Sequence, residues 1–324
     1  MPSSDVKILS STDGTRIFAE ATGDPSNLHL VLLSGLTLSG CVFDDMCADQ
    51  RLLDSLYVVR YDIRGHGRSG KPNTKEAYES KLFADDFKTV VDTFKLNKPV
   101  LVGWSMGGKP KVVNPLSHAH ASYSIAAVAT DVLTHLPPGT LSGVIYLSGV
   151  PSTSTVGEMA APPLVSVLPG LVSNESVSAY QAAAAVFTER LFAQPDAVSY
   201  AVRCMHMGHS LTPEIMALSL SRPQNIDKLW EAGQAGLPLL SIQGTLDGHR
   251  EGGPKSIDDI MRPHFKKYES IWLEGRGHAL HSECPNEVVE HLITFTKKVN
   301  GKVRYIHFSW LNDTTHRTHS SDVT

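Results

Sequence analysis

Long apolar runs are missing from this sequence. No stretch approaches the roughly 20 consecutive apolar residues that a membrane-spanning helix needs, so no bilayer span is expected. The first residues, from Met1 through Ser4 to Val6, lack a basic segment leading into an apolar one, which reads against a secretory leader. Cysteine is scarce. Cys41, Cys47, Cys204 and Cys284 are scattered through 324 residues without a paired or metal-type spacing, so a disulfide scaffold or zinc module is not expected, and free thiols in a reducing, cytoplasmic setting are. Neither sign of charge dominates: 29 Lys and Arg against 33 Asp and Glu leave a formal net charge of -4, with no footprint for nucleic acid or an anionic membrane. A small molecule remains the expected partner, and nothing in the chain speaks to oligomeric state.

What is present is an alternation. Hydrophobic residues at 41% and charged ones at 19% suffice for a buried core, and short apolar runs alternate with amphipathic stretches, the pattern of a sheet covered by helices on both faces. Strands are predicted at 15–21, 28–33, 57–61, 100–103, 143–147, 237–243 and 268–273. Several are near-continuous Val, Leu and Ile, as in parallel strands buried on both sides. Helical spacing appears in 81–96, through Leu82, Phe83, Phe87, Val90, Val91 and Phe94, and in 287–299, through Val288, Val289, Leu292 and Phe295. Residues 151–235, rich in Ala, Ser and Met, interrupt the alternation with helical segments at 179–192 and 197–207. The expected plan is a core over 1–150 and 236–300, a helical cap over 151–235 inserted after the sixth strand, and a C-terminal extension over 301–324 that is partly disordered. The expected fold class is α/β, a mostly parallel, doubly wound sheet of about eight strands flanked by helices.

Chemistry concentrates at Gly103-Trp104-Ser105-Met106-Gly107-Gly108, which fits G-x-S-x-G directly after an apolar strand. The bare pattern is weak. Its setting strengthens it, because a serine hydroxyl becomes a nucleophile only beside a base, and a strained strand-to-helix turn presenting it needs flanking glycines. Base and orienting acid are expected on loops after later strands. Asp247 follows the run 239–243 as the acid, and His278 follows 270–273, in a Gly275-Arg276-Gly277 loop, as the general base. His281 is the competing imidazole, turned toward the last helix. The loop after Leu147, from Ser148 to Ser152, carries no carboxylate, which leaves the acid's role to Asp247.

On these motifs the chain resembles the α/β-hydrolase superfamily, of the serine-nucleophile, esterase- or lipase-like kind, over about Val6 to Val299. Leu32-Leu33-Ser34-Gly35-Leu36 matches the family's oxyanion loop, and Asp62-Ile63-Arg64-Gly65-His66-Gly67-Arg68-Ser69 resembles its D-x-R-G-x-G-x-S segment. The resemblance implies an oxyanion hole made by the backbone N–H groups of Leu36 and Met106. It gives Arg64 and His66 bracing roles and implies no cofactor. Ser34-Gly35 stands where the family usually has His-Gly, a change that bears on loop orientation because the backbone is the donor. A serine at 105, where some relatives carry aspartate, argues against epoxide hydrolase or dehalogenase chemistry, which forms an ester on a carboxylate.

Pro110 interrupts the helix expected after Ser105. Removing 109–126 would join Gly107-Gly108 to Ala127-Val128 in an unbroken helix, so this segment reads as an insertion, either a retained in-frame intron or a genuine surface excursion. The expected activity is cleavage of a small or medium, apolar carboxylic ester or related acyl compound through an acyl-serine. Trp104, Leu246, Met205 and Met207 are the candidate pocket residues. Two alternatives share the residues: carbon–carbon bond hydrolysis or cofactor-free perhydrolysis, and a binding protein whose turnover the insertion has impaired.

Overall fold

The computed structural model describes residues 4–105, 128–152, 160–208, 212–220 and 223–301; the insertion read at 109–126 and the extension beyond 301 lie outside them. Its strands are β1 (Asp5–Ser10), β2 (Arg16–Thr22), β3 (Leu28–Leu33), β4 (Leu56–Tyr61), β5 (Val100–Trp104), β6 (Gly143–Leu147), β7 (Leu239–Gly244) and β8 (Tyr268–Leu273). They form one sheet in the order β1-β2-β4-β3-β5-β6-β7-β8. β2 runs antiparallel to both its neighbours, and from β4 onward every pairing is parallel. The expected fold class is the one observed. β1 has no counterpart among the predicted strands, and the reason is its edge position: Val6 and Ile8 are about half exposed, so no continuous apolar run marks it.

Two apolar layers sandwich the sheet, and successive residues of each central strand enter opposite layers. Val31 and Leu33, Leu101, Val144 and Tyr146 join one layer, with Phe83, Phe87 and Val90 of α3 (Ser80–Thr93) and Val128 and Val132 of α4 (Val128–His135). Leu30 and Leu32, Val100, Val102 and Trp104, Ile145 and Leu147 join the other, with Leu52. The helices before α3 are α1 (Asp44–Cys47) and α2 (Gln50–Ser55). Strands buried on both sides need both layers apolar, which is why these runs show no polar alternation.

Between β6 and β7 the chain forms α5 (Pro162–Leu171), α6 (Val177–Glu189), α7 (Tyr200–Gly208), α8 (Pro213–Leu220) and α9 (Asp227–Gln234). After β7 come α10 (Gly253–Met261), α11 (Leu280–Glu283) and α12 (Pro285–Val299). Pro285 opens α12, where its missing N–H has no helical partner to lose, and Val288, Val289, Leu292 and Phe295 carry its buried face. All four cysteines are free thiols. Burial pushes the Cys47 thiol up to about 11 and the Cys284 thiol up to about 12, whereas Cys204 is exposed. No helix among the described residues is long and apolar enough to cross a membrane.

Candidate active site

Ser105 is the first residue after β5, and its φ of 75° places it in the left-handed region that non-glycine residues avoid. That conformation costs about 1–2 kcal/mol. It persists because Ser105 N donates to Leu147 O at 3.0 Å, tying the turn to the end of β6. Gly35 makes the turn possible from the other side: a Cβ there would meet Ser105 Cβ at 2.8 Å and the Trp104 ring at 3.0 Å. The loop carrying Leu36 therefore lies directly against Ser105. It is held by Ser34 Oγ donating to Leu38 O at 3.2 Å and by Gly40 N donating to Asp62 Oδ1 at 2.8 Å. Leu36 itself is buried, while Met106 lies outside the described residues.

Ser105, Asp247 and His278 come together although 173 positions separate the serine from the histidine. Ser105 Oγ and His278 Nε2 are 2.6 Å apart, and His278 Nδ1 and Asp247 Oδ2 are 2.7 Å apart. The serine is 3% exposed and the histidine 0%, so water is largely kept from the contact. Asp247 Oδ1 accepts His249 N at 2.8 Å. Burial alone would raise the Asp247 carboxyl, but His278, Arg250 and His249 bring it well below the usual carboxylate range. A serine hydroxyl, an imidazole and an ionised carboxylate in series can move a proton from Oγ to Nε2 while the carboxylate holds the ring.

The two loops that deliver Asp247 and His278 are fastened to each other and to the end of α6. Gly244 closes β7 where a Cβ would sit 2.1 Å from Gly277 O, so the loops touch backbone to backbone. Thr245 N donates to Leu273 O at 3.1 Å, Leu246 N to Arg276 O at 2.8 Å, and Gly275 N to Thr245 Oγ1 at 2.9 Å. Leu191 O accepts both His278 N and Ala279 N at 2.8 Å. Glu283 bridges with both carboxylate oxygens, accepting Ala193 N at 2.6 Å and Gly277 N at 2.5 Å. The His249 ring packs against His278 at a tilt of 33°, with centroids 4.4 Å apart, and its Nε2 lies 3.0 Å from Phe187 O. Burial pushes its imidazole down to about 3. His249, Arg250, Leu191 and Glu283 were not found from sequence. Only the position of His249 and Arg250 in the Asp247 loop could have flagged any of them.

Other anticipated residues fall variously. Trp104 is wholly buried, donating Nε1 to His278 O at 2.9 Å and packing edge-on to His281 with centroids 4.2 Å apart. It thereby fixes the backbone of the histidine loop. Met205 is half-buried against the layer that holds Trp104, and Met207 and Leu246 are 41% and 54% exposed. His281 lies against Trp104 and Phe43, two residues of the layer that also holds Val288 and Leu292. Arg64 is fully buried and engaged with Asp86 by two 2.7 Å contacts and with Asp13 at 2.9 Å. His66 Nδ1 lies 3.1 Å from Arg64 O. Among the described residues no His, Cys, Asp and Glu side chains cluster as a metal site.

Comparison with known proteins places this architecture. The curated "Probable oxidoreductase EphD" of Mycobacterium tuberculosis is 35% identical over 96 residues, which span 30% of this chain and only 16% of that protein. Epoxide hydrolase A of the same species is 25% identical over 321 residues, covering 89% of this chain and 96% of its own. Among solved structures, the esterase RhEst1 from Rhodococcus sp. ECU1013 superimposes with a TM-score of 0.76 at 23% identity, over 91% of this chain and 99% of that one, a likeness of fold. The model of the Alpha/beta hydrolase family matches residues 30–291, and this chain belongs to that family.

Proposed function

We propose that the chain is a serine hydrolase that cleaves a small or medium, apolar carboxylic ester through an acyl intermediate on Ser105. The observation that carries the reading is the unbroken series from Ser105 Oγ to His278 Nε2 at 2.6 Å and from His278 Nδ1 to Asp247 Oδ2 at 2.7 Å, built on a left-handed serine. In this reading His278 accepts the Ser105 proton as Oγ attacks the acyl carbon, returns it to the departing alcohol, and then activates water to release the acid. Asp247 keeps the proton of the neutral ring on Nδ1 and offsets the charge of the imidazolium. The N–H of Leu36, on the loop pressed against Ser105, and that of Met106 stabilise the tetrahedral oxyanion, at about 100-fold in rate or more per donor. Residues 151–235 act as a cap over the site, a role supported by the fastening of the α6 end to both catalytic loops.

The hydroxyl at 105 favours this chemistry over that of the epoxide hydrolase relative, since an ester formed on the enzyme through a carboxylate needs an acid at that position. We expect a fluorophosphonate probe to label the wild type and spare Ser105→Ala, with p-nitrophenyl esters of increasing acyl length then setting the preferred size. Folded wild-type protein that takes up no label would leave the binding-protein alternative standing instead.

A further inference from the structure

Three residues beyond Asp247 the chain places an arginine in the interior. The Arg250 side chain is 1% exposed and faces an Asp247 side chain that is 0% exposed. Its Nη2 donates to Ser148 O, just past β6, at 3.0 Å. Its Nε lies 3.7 Å from Asp247 Oδ2, the oxygen that meets His278 Nδ1 at 2.7 Å. The backbone is fixed as well, with Arg250 N donating to Asp247 O at 3.2 Å and a single bridge pairing Arg250 with Ala160. A guanidinium is costly to bury, and a loop that merely had to turn here could do so with an apolar residue. One carboxylate oxygen thus lies between two partners, an imidazole and a permanent cation, in surroundings where charges are poorly screened.

We propose that Arg250 is a positioning residue for the acid–base step, sharing the Asp247 carboxylate with His278 so that the carboxylate orients the ring while supporting the imidazolium less. The proposal rests on the reading of Ser105, His278 and Asp247 given above. A resting enzyme whose imidazole is protonated cannot take the serine proton, so a nearby cation that disfavours the imidazolium extends activity toward lower pH.

The other groups around His278 leave room for this effect. Ser105 and the Trp104 ring face it from the end of β5, and the tilted ring of His249 packs against it from the Asp247 loop. His281 of α11 and His206 of α7 lie behind Trp104. Burial pushes the His249 imidazole down to about 3 and holds that of His281 well below its ordinary value. Arg190 and Glu283 engage backbone groups of the two loops, at Gly248 O and Gly277 N.

The test is the pH profile of kcat/KM on an activated ester for wild type, Arg250→Lys, Arg250→Gln and Arg250→Met. Arg250→Met should move the acid limb upward by about one pH unit, and Arg250→Gln, which keeps a donor for Ser148 O, should move it likewise. Arg250→Lys should leave it in place. A purely structural role would lower kcat with the acid limb unmoved in both neutral variants, and that result overturns the proposal. Should Arg250→Met fail to fold, the comparison of Arg250→Gln with Arg250→Lys decides alone, and equal acid limbs in those two also overturn it. Fluorophosphonate labelling of every variant separates the two claims: a wild type that is not labelled at Ser105 defeats the reading of the site itself.

Discussion

Single atoms decide whether Ser105 can react. On the side of the Leu36 loop it is faced by Gly35, where a missing side chain is the functional feature. Adding one methyl group there puts a carbon 2.8 Å from Ser105 Cβ and 3.0 Å from the Trp104 ring, and both neighbours sit at the end of a strand that cannot retreat. Gly35→Ala should therefore lower kcat/KM by about 100-fold, the scale of an ångström-sized misplacement, while the melting temperature falls by only a few degrees. Steady-state kinetics and thermal denaturation on one preparation check the split, and an active Gly35→Ala would mean that the Leu36 loop is looser than its contacts imply.

At the scale of elements, the end of α6 works as a splint. Residues 187–193 hold the Asp247 loop through His249 and Gly248 and the His278 loop through Leu191 and Glu283. Glu283 is the hinge pin, since each of its oxygens takes one backbone N–H from a different chain segment. Glutamine retains one acceptor and alanine none. Glu283→Ala should cost about 1–3 kcal/mol in urea unfolding, the penalty for stranding donors, and Glu283→Gln about half as much. In both, turnover should fall further than KM rises, because the histidine loop loses its tie while the acyl pocket does not. Identical kinetics in all three proteins would show that Leu191 O alone suffices to hold His278.

For the whole molecule, burying several imidazoles makes stability depend on pH in a definite direction. Burial holds His281 well below its ordinary value of 6.5, and His249 down to about 3. Below 6.5 the unfolded chain takes up protons that the folded chain refuses, so stability drops as pH falls, by up to about 1.4 kcal/mol per pH unit for each such group, until its folded value is reached. Asp247 adds to the loss at lower pH still: its depressed carboxyl contributes stability above its ordinary value of 3.8, and this is given up as pH falls through that value and toward the folded one. Urea midpoints should decline between pH 7 and pH 5. His281→Phe, with an aromatic ring retained against Trp104 and Phe43, should show a shallower decline, and a slope equal to wild type would mean that His281 gains its proton without leaving the core.

The central strands and the helices α3, α6, α7 and α12 were legible in the sequence because burial on two faces writes itself as uninterrupted Val, Leu and Ile, and burial on one writes a helical stripe, whereas α1, α2, α5, α8, α9 and α10 were not among the predicted helices. β1 escaped because an edge strand half open to water needs no such run. Ser105, Asp247 and His278 were legible as residues placed just after strands. Their contact was not, because 173 positions of chain separate serine from histidine and nothing local measures that distance. Glu283 left no usable mark, since it reaches across to Ala193 N from a remote segment, and His249 and Arg250 were marked only by their place in the Asp247 loop. Sequence by itself determined the central strands, the most strongly patterned helices and the side chains that stand at their ends, because propensity and patterning are local. Only the tertiary structure decided which of those ends meet and which charges must share one buried oxygen, because proximity and desolvation are properties of the packed chain.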